Sequence, residues 1–231
     1  MSLARKVEQI EERIARACER SGRKRDELTL MAVSKFQPAS AVEEAWNAGL
    51  RCFGESRVQE ATAKLAGFKE ARPGASLHLI GALQSNKAKT AAAFFDCVQS
   101  IDRESIARDL ARHREPLSST GAFPVMLELR TGEDTKTGFA DLDSLLRTAE
   151  FVFSCPALAP LGLMTMAPFT DEEAPIRAAF RKLRQAQSEL ARRFPRDGAW
   201  ECLSMGMSND FEIAVEEGST LLRIGTAIFG G

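Results

Sequence analysis

Leu30-Met31-Ala32-Val33-Ser34-Lys35 is an apolar, partly β-branched run that ends in an amine and is broken at once by Gln37-Pro38. A short apolar run bounded in this way reads as a buried strand, here over 29–34. Working outward, comparable runs recur near 51–54, 77–80, 96–100, 123–129, 157–164, 200–204 and 221–224, each followed by a helical pattern or a helix-sized gap. Eight β-α units in series predict a closed parallel barrel of the (β/α)8 TIM type rather than an open sheet.

Helical periods fill the spaces between. Leu3, Val7, Ile10, Ile14 and Ala17 recur at steps of three and four, which predicts an amphipathic first helix ending near Gly22. A second clear stripe, Ile176, Phe180, Leu183, Gln187 and Leu190, predicts a helix over about 172–193. Gly49 and Gly218 stand where a helix hands over to a strand, a place for the left-handed conformation that glycine tolerates. The expected organisation is one domain over 1–231, an extra N-terminal helix at 1–22 and a barrel at 28–231.

Composition narrows the functions. The chain has 231 residues, 44% of them hydrophobic, with 31 basic against 32 acidic residues and a net charge of −1. There is no broad positive field for nucleic acid or anionic lipid, so neither partner is expected. The start Met1-Ser2-Leu3-Ala4-Arg5-Lys6 runs into a charged helix without an apolar signal core, and no eighteen-residue uncharged apolar stretch follows. The expectation is a cytoplasmic protein. Polar faces on the clear helices point to a monomer, and five dispersed cysteines without a Cys-x-x-Cys pair read as buried free thiols.

In a barrel of this type the chemistry sits in loops at the carboxyl ends of the strands. Lys35 occupies such a place, as do Glu55, Ser56, Gln84 to Lys87 and Met164 to Met166. The closing loops Ser204-Met205-Gly206-Met207-Ser208-Asn209-Asp210 and Arg223-Ile224-Gly225-Thr226 have the small and hydroxylated residues of a phosphate cradle, with Ser208 as helix cap and phosphate donor. An ordinary N-cap gives the same pattern in Ser-Asn-Asp. A lysine facing a phosphate site serves a Schiff-base aldolase or a pyridoxal 5′-phosphate site, and burial or a nearby cation would free its amine. A plain strand-end cation is the bland reading.

Seven ordered segments carry a resemblance. They are Val33-Ser34-Lys35, Phe53-Gly54-Glu55, Val58-Gln59-Glu60, Leu77 to Lys87 (LHLIGALQSNK), Gly162-Leu163-Met164-Thr165-Met166-Ala167-Pro168, Leu203 to Asp210 and Leu222 to Gly230. Together they resemble the pyridoxal phosphate homeostasis proteins from about residue 28 onward. The resemblance implies a barrel like the N-terminal domain of alanine racemase, with pyridoxal phosphate held as an aldimine on Lys35. It also implies that Ser208, Arg223, Gly225 and Thr226 surround the phosphate and ring, with Gly206 and Met207 in the same cofactor loop. Arg223 can serve either the phosphate or the pyridine nitrogen.

Two segments depart from the family pattern. Ser56 replaces an asparagine after Phe-Gly-Glu and is not expected to be a ligand, and Leu129-Arg130 is atypical before the loop that carries Lys136. Lys136 reads as a solvated loop lysine that can visit the mouth. His78 and His113 have no supporting motif for a metal pair or a triad. Met164, Met166, Met205 and Met207 read as barrel-lining residues. No tyrosine is present, so the phenol that opposes lysine in alanine racemase has no counterpart. The expected function is a non-enzymatic store of pyridoxal phosphate that serves the free pool or pyridoxal-phosphate-requiring apoenzymes. A weak racemase or lyase using the cofactor, and a cofactor-free aldolase, are the alternatives.

Overall fold

The computed structural model describes residues 1–114, 121–132 and 137–230. Eight parallel strands close into a barrel in chain order. They are β1 (Thr29–Val33), β2 (Cys52–Glu55), β3 (Ser76–Leu79), β4 (Cys97–Ile101), β5 (Phe123–Glu128), β6 (Leu158–Met164), β7 (Cys202–Ser204) and β8 (Leu221–Ile224). Closure comes from β1 lying beside β8, with Met31 opposite Arg223 and Ala32 opposite Ile224.

The N-terminal helix α1 (Leu3–Ser21) forms as its spacing predicts, capped by Ser2 and ended by Gly22 at φ +66°. Between the strands run α2 (Ala39–Asn47), α3 (Val58–Lys64), α4 (Phe68–Ala71), α5 (Ala88–Phe94), α6 (Glu104–Arg114), α7 (Leu142–Ser154) and α8 (Glu173–Arg193). Two short helices, α9 (Phe211–Glu216) and α10 (Thr226–Phe229), follow β7 and β8. Gly49 and Gly218 have φ of +95° and +99°, so the positions read as helix ends need a residue without Cβ strain.

Strand alternation divides the interior in two. Outward residues such as Ala32, Phe53, Leu77, Leu163, Leu203 and Leu222 join the helices in one continuous apolar layer. A second, small apolar cluster of Met31, Cys52 and Leu221 lies inside the barrel. Above it the buried residues turn polar: His78, Gln99, Glu128, Ser204 and Arg223. Bulky branched side chains ordinarily fill this space. A polar core at the mouth end therefore marks where the chain departs from plain packing.

Two expectations shift. Strand seven was expected from Trp200, but begins at Cys202, because Trp200 has φ +63° and is fully buried. Its aromatic run belongs to a turn that hooks onto Pro160, whose carbonyl accepts the Trp200 N–H. Among the five free cysteines, Cys18, Cys52 and Cys97 are buried as expected whereas Cys155 and Cys202 are half-buried. Lys136 lies outside the described residues.

Candidate functional site

Ser34 fixes the way the chain leaves β1. It is fully buried, its N–H donates to Gly54 O at 3.0 Å, and its hydroxyl donates to Glu55 Oε1 at 2.5 Å. Lys64, at the end of α3, donates to Ser34 O at 2.8 Å and to Glu55 Oε1 at 2.6 Å. Charge-assisted bonds of this kind hold a backbone firmly. The next two residues make the turn: Lys35 is exposed, and Phe36 takes φ +65° and is 69% exposed. Of the two conditions named for freeing the amine, burial is therefore not met at Lys35. The strand stops two residues earlier, and the turn carries the amine out onto a cavity wall.

That cavity has a volume of about 550 Å³ and opens at the carboxyl ends of the strands. Its walls bring together Lys35, Ser56, Met164, Met166, Met207, Ser208, Arg223, Gly225 and Thr226. Ser56 is brought close because Gly81 has no side chain: a Cβ there would sit 2.2 Å from Ser56 O. Gly206 does not line the cavity. It has φ +96°, and a Cβ there would meet Ala214 Cβ at 2.6 Å, so it shapes the turn that presents Met207 and Ser208. Met205 is fully buried behind it.

Ser208 does not cap the helix that follows it. Met207 O accepts the N–H groups of both Asp210 and Phe211, which moves the N-cap position to Asp210, whose Oδ1 accepts the Met207 N–H at 2.5 Å. Ser208 Oγ instead accepts the Ala227 N–H at 3.2 Å and ties the two closing loops together. Among the described residues, the N–H groups of Ser208 and Asn209 have no acceptor. Backbone N–H groups left over by a turn are one means of holding an anion.

Arg223 forms the floor. It is 4% exposed, with Nη1 donating to Ser204 O at 2.6 Å and Ser204 Oγ at 2.7 Å, and Nη2 donating to Thr165 O at 2.7 Å. Burial pulls its pKa down to about 10, while Glu128 and Asp210 oppose that shift, so it stays charged at neutral pH. Glu128 is buried nearby. Its Oε1 accepts the Thr137 hydroxyl at 2.8 Å, its Oε2 has no partner among the described residues, and burial raises its pKa against the pull of Arg223. Neither Lys64 nor Glu128 stood out in the sequence. Glu128 had a legible signal, a charge at an inward position of a strand; Lys64 had none.

His78 is buried, and both ring nitrogens face polar side chains. Its Nε2 lies 2.8 Å from Ser76 Oγ and its Nδ1 lies 2.7 Å from Gln99 Nε2. Among the described residues no three His, Cys, Asp or Glu side chains form a metal cluster. Burial pushes the His78 imidazole down to about 4, from an ordinary value of 6.5. The unfolded chain then binds a proton that the folded one refuses, so stability is complete above about pH 6.5 and falls between there and about pH 4. Acidification from about pH 7 to about pH 5 is expected to remove about 2 kcal/mol through this residue alone. Urea unfolding of the wild type and of His78→Gln at both pH values measures it, and equal losses in the two would refute it.

Comparison with known proteins identifies the chain. A family model for the alanine racemase N-terminal domain matches residues 6–231. The pyridoxal phosphate homeostasis protein of Aquifex aeolicus (strain VF5) is 35% identical over 230 residues, covering 100% of this chain and 98% of that protein. Its counterpart from Escherichia coli (strain K12) is 40% identical over 233 residues, covering 99% and 96%. The chain belongs to the pyridoxal phosphate homeostasis protein family. A solved structure similar to it, PipY of Synechococcus elongatus PCC7942 with PLP bound, aligns with a TM-score of 0.81 at 37% identity, over 96% of this chain and 100% of that one. The alanine racemase of E. faecalis aligns with a TM-score of 0.72 at 16% identity, over 100% of this chain and 59% of the other, a likeness of fold alone. Membership of the homeostasis protein family accounts for the ordered segments from Val33 to Gly230, and the closed barrel is the one that the resemblance implied. No helix among the described residues is long and apolar enough to cross a membrane.

Proposed function

We propose that the chain binds pyridoxal 5′-phosphate, holds it covalently through Lys35, and serves as a store of the cofactor without turning over a substrate of its own. The observation that carries this reading is the convergence of one free amine, one fixed guanidinium and one anion turn on a single cavity of about 550 Å³. The donor set fits the group. Bound pyridoxal phosphate supplies an aldehyde, and the Lys35 amine is the nucleophile that condenses with it, releasing one water. Ser208, Gly225 and Thr226, together with the Ser208 and Asn209 N–H groups, suit the phosphate. Arg223 sits deeper, with three of its N–H contacts already taken by Ser204 and Thr165. That position suits the pyridine nitrogen better than the phosphate, and a guanidinium there keeps the nitrogen unprotonated and the ring a weak electron sink.

The same reading explains what a store needs. Lys35 is exposed beside the mouth, so an incoming amine reaches the bound aldehyde without a domain movement. The chain has no tyrosine to act as an opposed base, which favours holding over racemisation. We place the protein in the cytoplasm as a monomer that supplies the free pool or cofactor-requiring apoenzymes. Equilibrium titration of the cofactor-free protein with pyridoxal phosphate and with unphosphorylated pyridoxal tests the site. The proposal expects the phosphate ester to bind at least about tenfold tighter, a difference of about 1.4 kcal/mol. Equal affinities, or turnover of any member of a broad amino-acid panel, would refute it.

A further inference from the structure

Inside the barrel, polar side chains from four strands are joined end to end. Ser76 and His78 come from β3, Gln99 from β4, Ser204 from β7 and Arg223 from β8. Gln99 and Ser204 are fully buried, Arg223 is 4% exposed and His78 is 8% exposed. Burying such groups is unfavourable unless each finds a partner, and here each does. We propose that His78, Gln99 and Ser204 form a support that crosses the barrel and orients the Arg223 guanidinium toward the cavity, with His78 as a positioning residue. This rests on the reading of Arg223 as the residue beneath the cofactor ring.

The support has one consistent direction. A guanidinium has no acceptor, so Ser204 Oγ must accept from Arg223 Nη1 across 2.7 Å. The serine proton is then left for Gln99 Oε1, 2.7 Å away. That contact sets the amide with its NH₂ toward His78 Nδ1 at 2.7 Å, so Nδ1 must accept. The imidazole proton is therefore on Nε2, facing Ser76 Oγ at 2.8 Å. Which nitrogen of His78 carries the proton is thus decided by a charge on the far side of the barrel. A fully satisfied network of this kind is rigid. It holds Nη1 from one side while Thr165 O holds Nη2 from the other, so the plane of the guanidinium is set before any ligand arrives.

The chain has only two histidines, and His113 lies on α6 away from this line. Nitrogen NMR of ¹⁵N-histidine-labelled, cofactor-free protein reads His78 directly, with His113→Asn supplying the assignment. The wild type is expected to show a neutral imidazole protonated at Nε2. Gln99→Glu replaces the donor facing Nδ1 by an acceptor, and the proton is expected to move to Nδ1 or to occupy both nitrogens. Ser204→Ala removes the link to Arg223 and is expected to shift the His78 resonances although the two residues are joined only through Gln99. A wild type protonated at Nδ1, or His78 resonances unchanged in both variants, would overturn the support. After loading with pyridoxal phosphate, both variants are expected to retain the borohydride-trapped amount while their visible absorption band moves. An unmoved band would overturn the positioning role. Failure of every protein to bind pyridoxal phosphate would instead refute the cofactor reading, and the cofactor-free NMR distinguishes the two. If Gln99→Glu does not fold, Ser204→Ala decides alone.

Discussion

Lys64→Met is expected to lose about 3–5 kcal/mol of folding stability, the cost of leaving a buried charge without its partner. The ion pair is deep: the Glu55 side chain is 1% exposed, that of Lys64 is 14% exposed, and they meet at 2.6 Å. Glu55 Oε2 already lacks a partner among the described residues. Removing the ammonium leaves the carboxylate with the Ser34 hydroxyl alone. The pair is worth far less than this against an apolar replacement of both partners, so Lys64→Met with Glu55→Leu is expected to recover most of the loss. Urea unfolding of the two single variants and the double variant measures the coupling. A loss under about 1 kcal/mol in Lys64→Met would show that water, not Lys64, satisfies Glu55.

The same pair matters to the site because it grips the residue before Lys35, the proposed anchor. Lys64 holds the Ser34 carbonyl and Glu55 holds its hydroxyl, so both determine where the chain turns outward at Lys35. Phe36 pays for that turn with a positive φ that a side chain other than glycine adopts at a cost of order 1 kcal/mol. Lys64 is invisible in sequence for a simple reason. A lysine at the end of an amphipathic helix has the same pattern whether it is solvated or folded back against a strand, and only the packing of α3 beside β1 and β2 decides.

The barrel itself was legible because period and order are local signals. Leu30 to Val33 and Leu221 to Ile224 read as strands from their own residues, and the repeat of strand and helix left one closed topology. Trp200 misled for the converse reason: a large apolar residue before a strand counts as part of it unless its backbone angle is known. The two closing loops were legible as small and hydroxylated residues at the mouth, but the division of labour inside them was not. Gly206 acts through the space it leaves for Ala214, and Ser208 bonds to Ala227 instead of capping its own helix. These are contacts between segments far apart in sequence. His78 and Gln99 stayed hidden likewise, because a polar residue in an inward strand position acquires meaning only when the opposite wall is known.

The second large effect concerns Lys35. The amine is the sole lysine on the cavity wall among the described residues, and the proposed covalent link needs it. Loss of the amine removes the proposed nucleophile, while Ser208, Gly225, Thr226 and Arg223, the proposed phosphate and ring ligands, remain on the cavity wall. Lys35→Ala is therefore expected to keep weakened, reversible binding of pyridoxal phosphate and to lose covalent capture altogether. Stability is expected to change by less than about 0.5 kcal/mol, as for other exposed substitutions. This separation of binding from capture distinguishes an anchor from a residue that merely shapes the mouth.

Borohydride reduction of the pyridoxal-phosphate-loaded wild type, followed by peptide mass mapping, tests the central claim most directly. One phosphopyridoxyl group per chain on Lys35, absent from Lys35→Ala treated in the same way, is the predicted result. A group found on another lysine, or equal labelling of the wild type and Lys35→Ala, would contradict it.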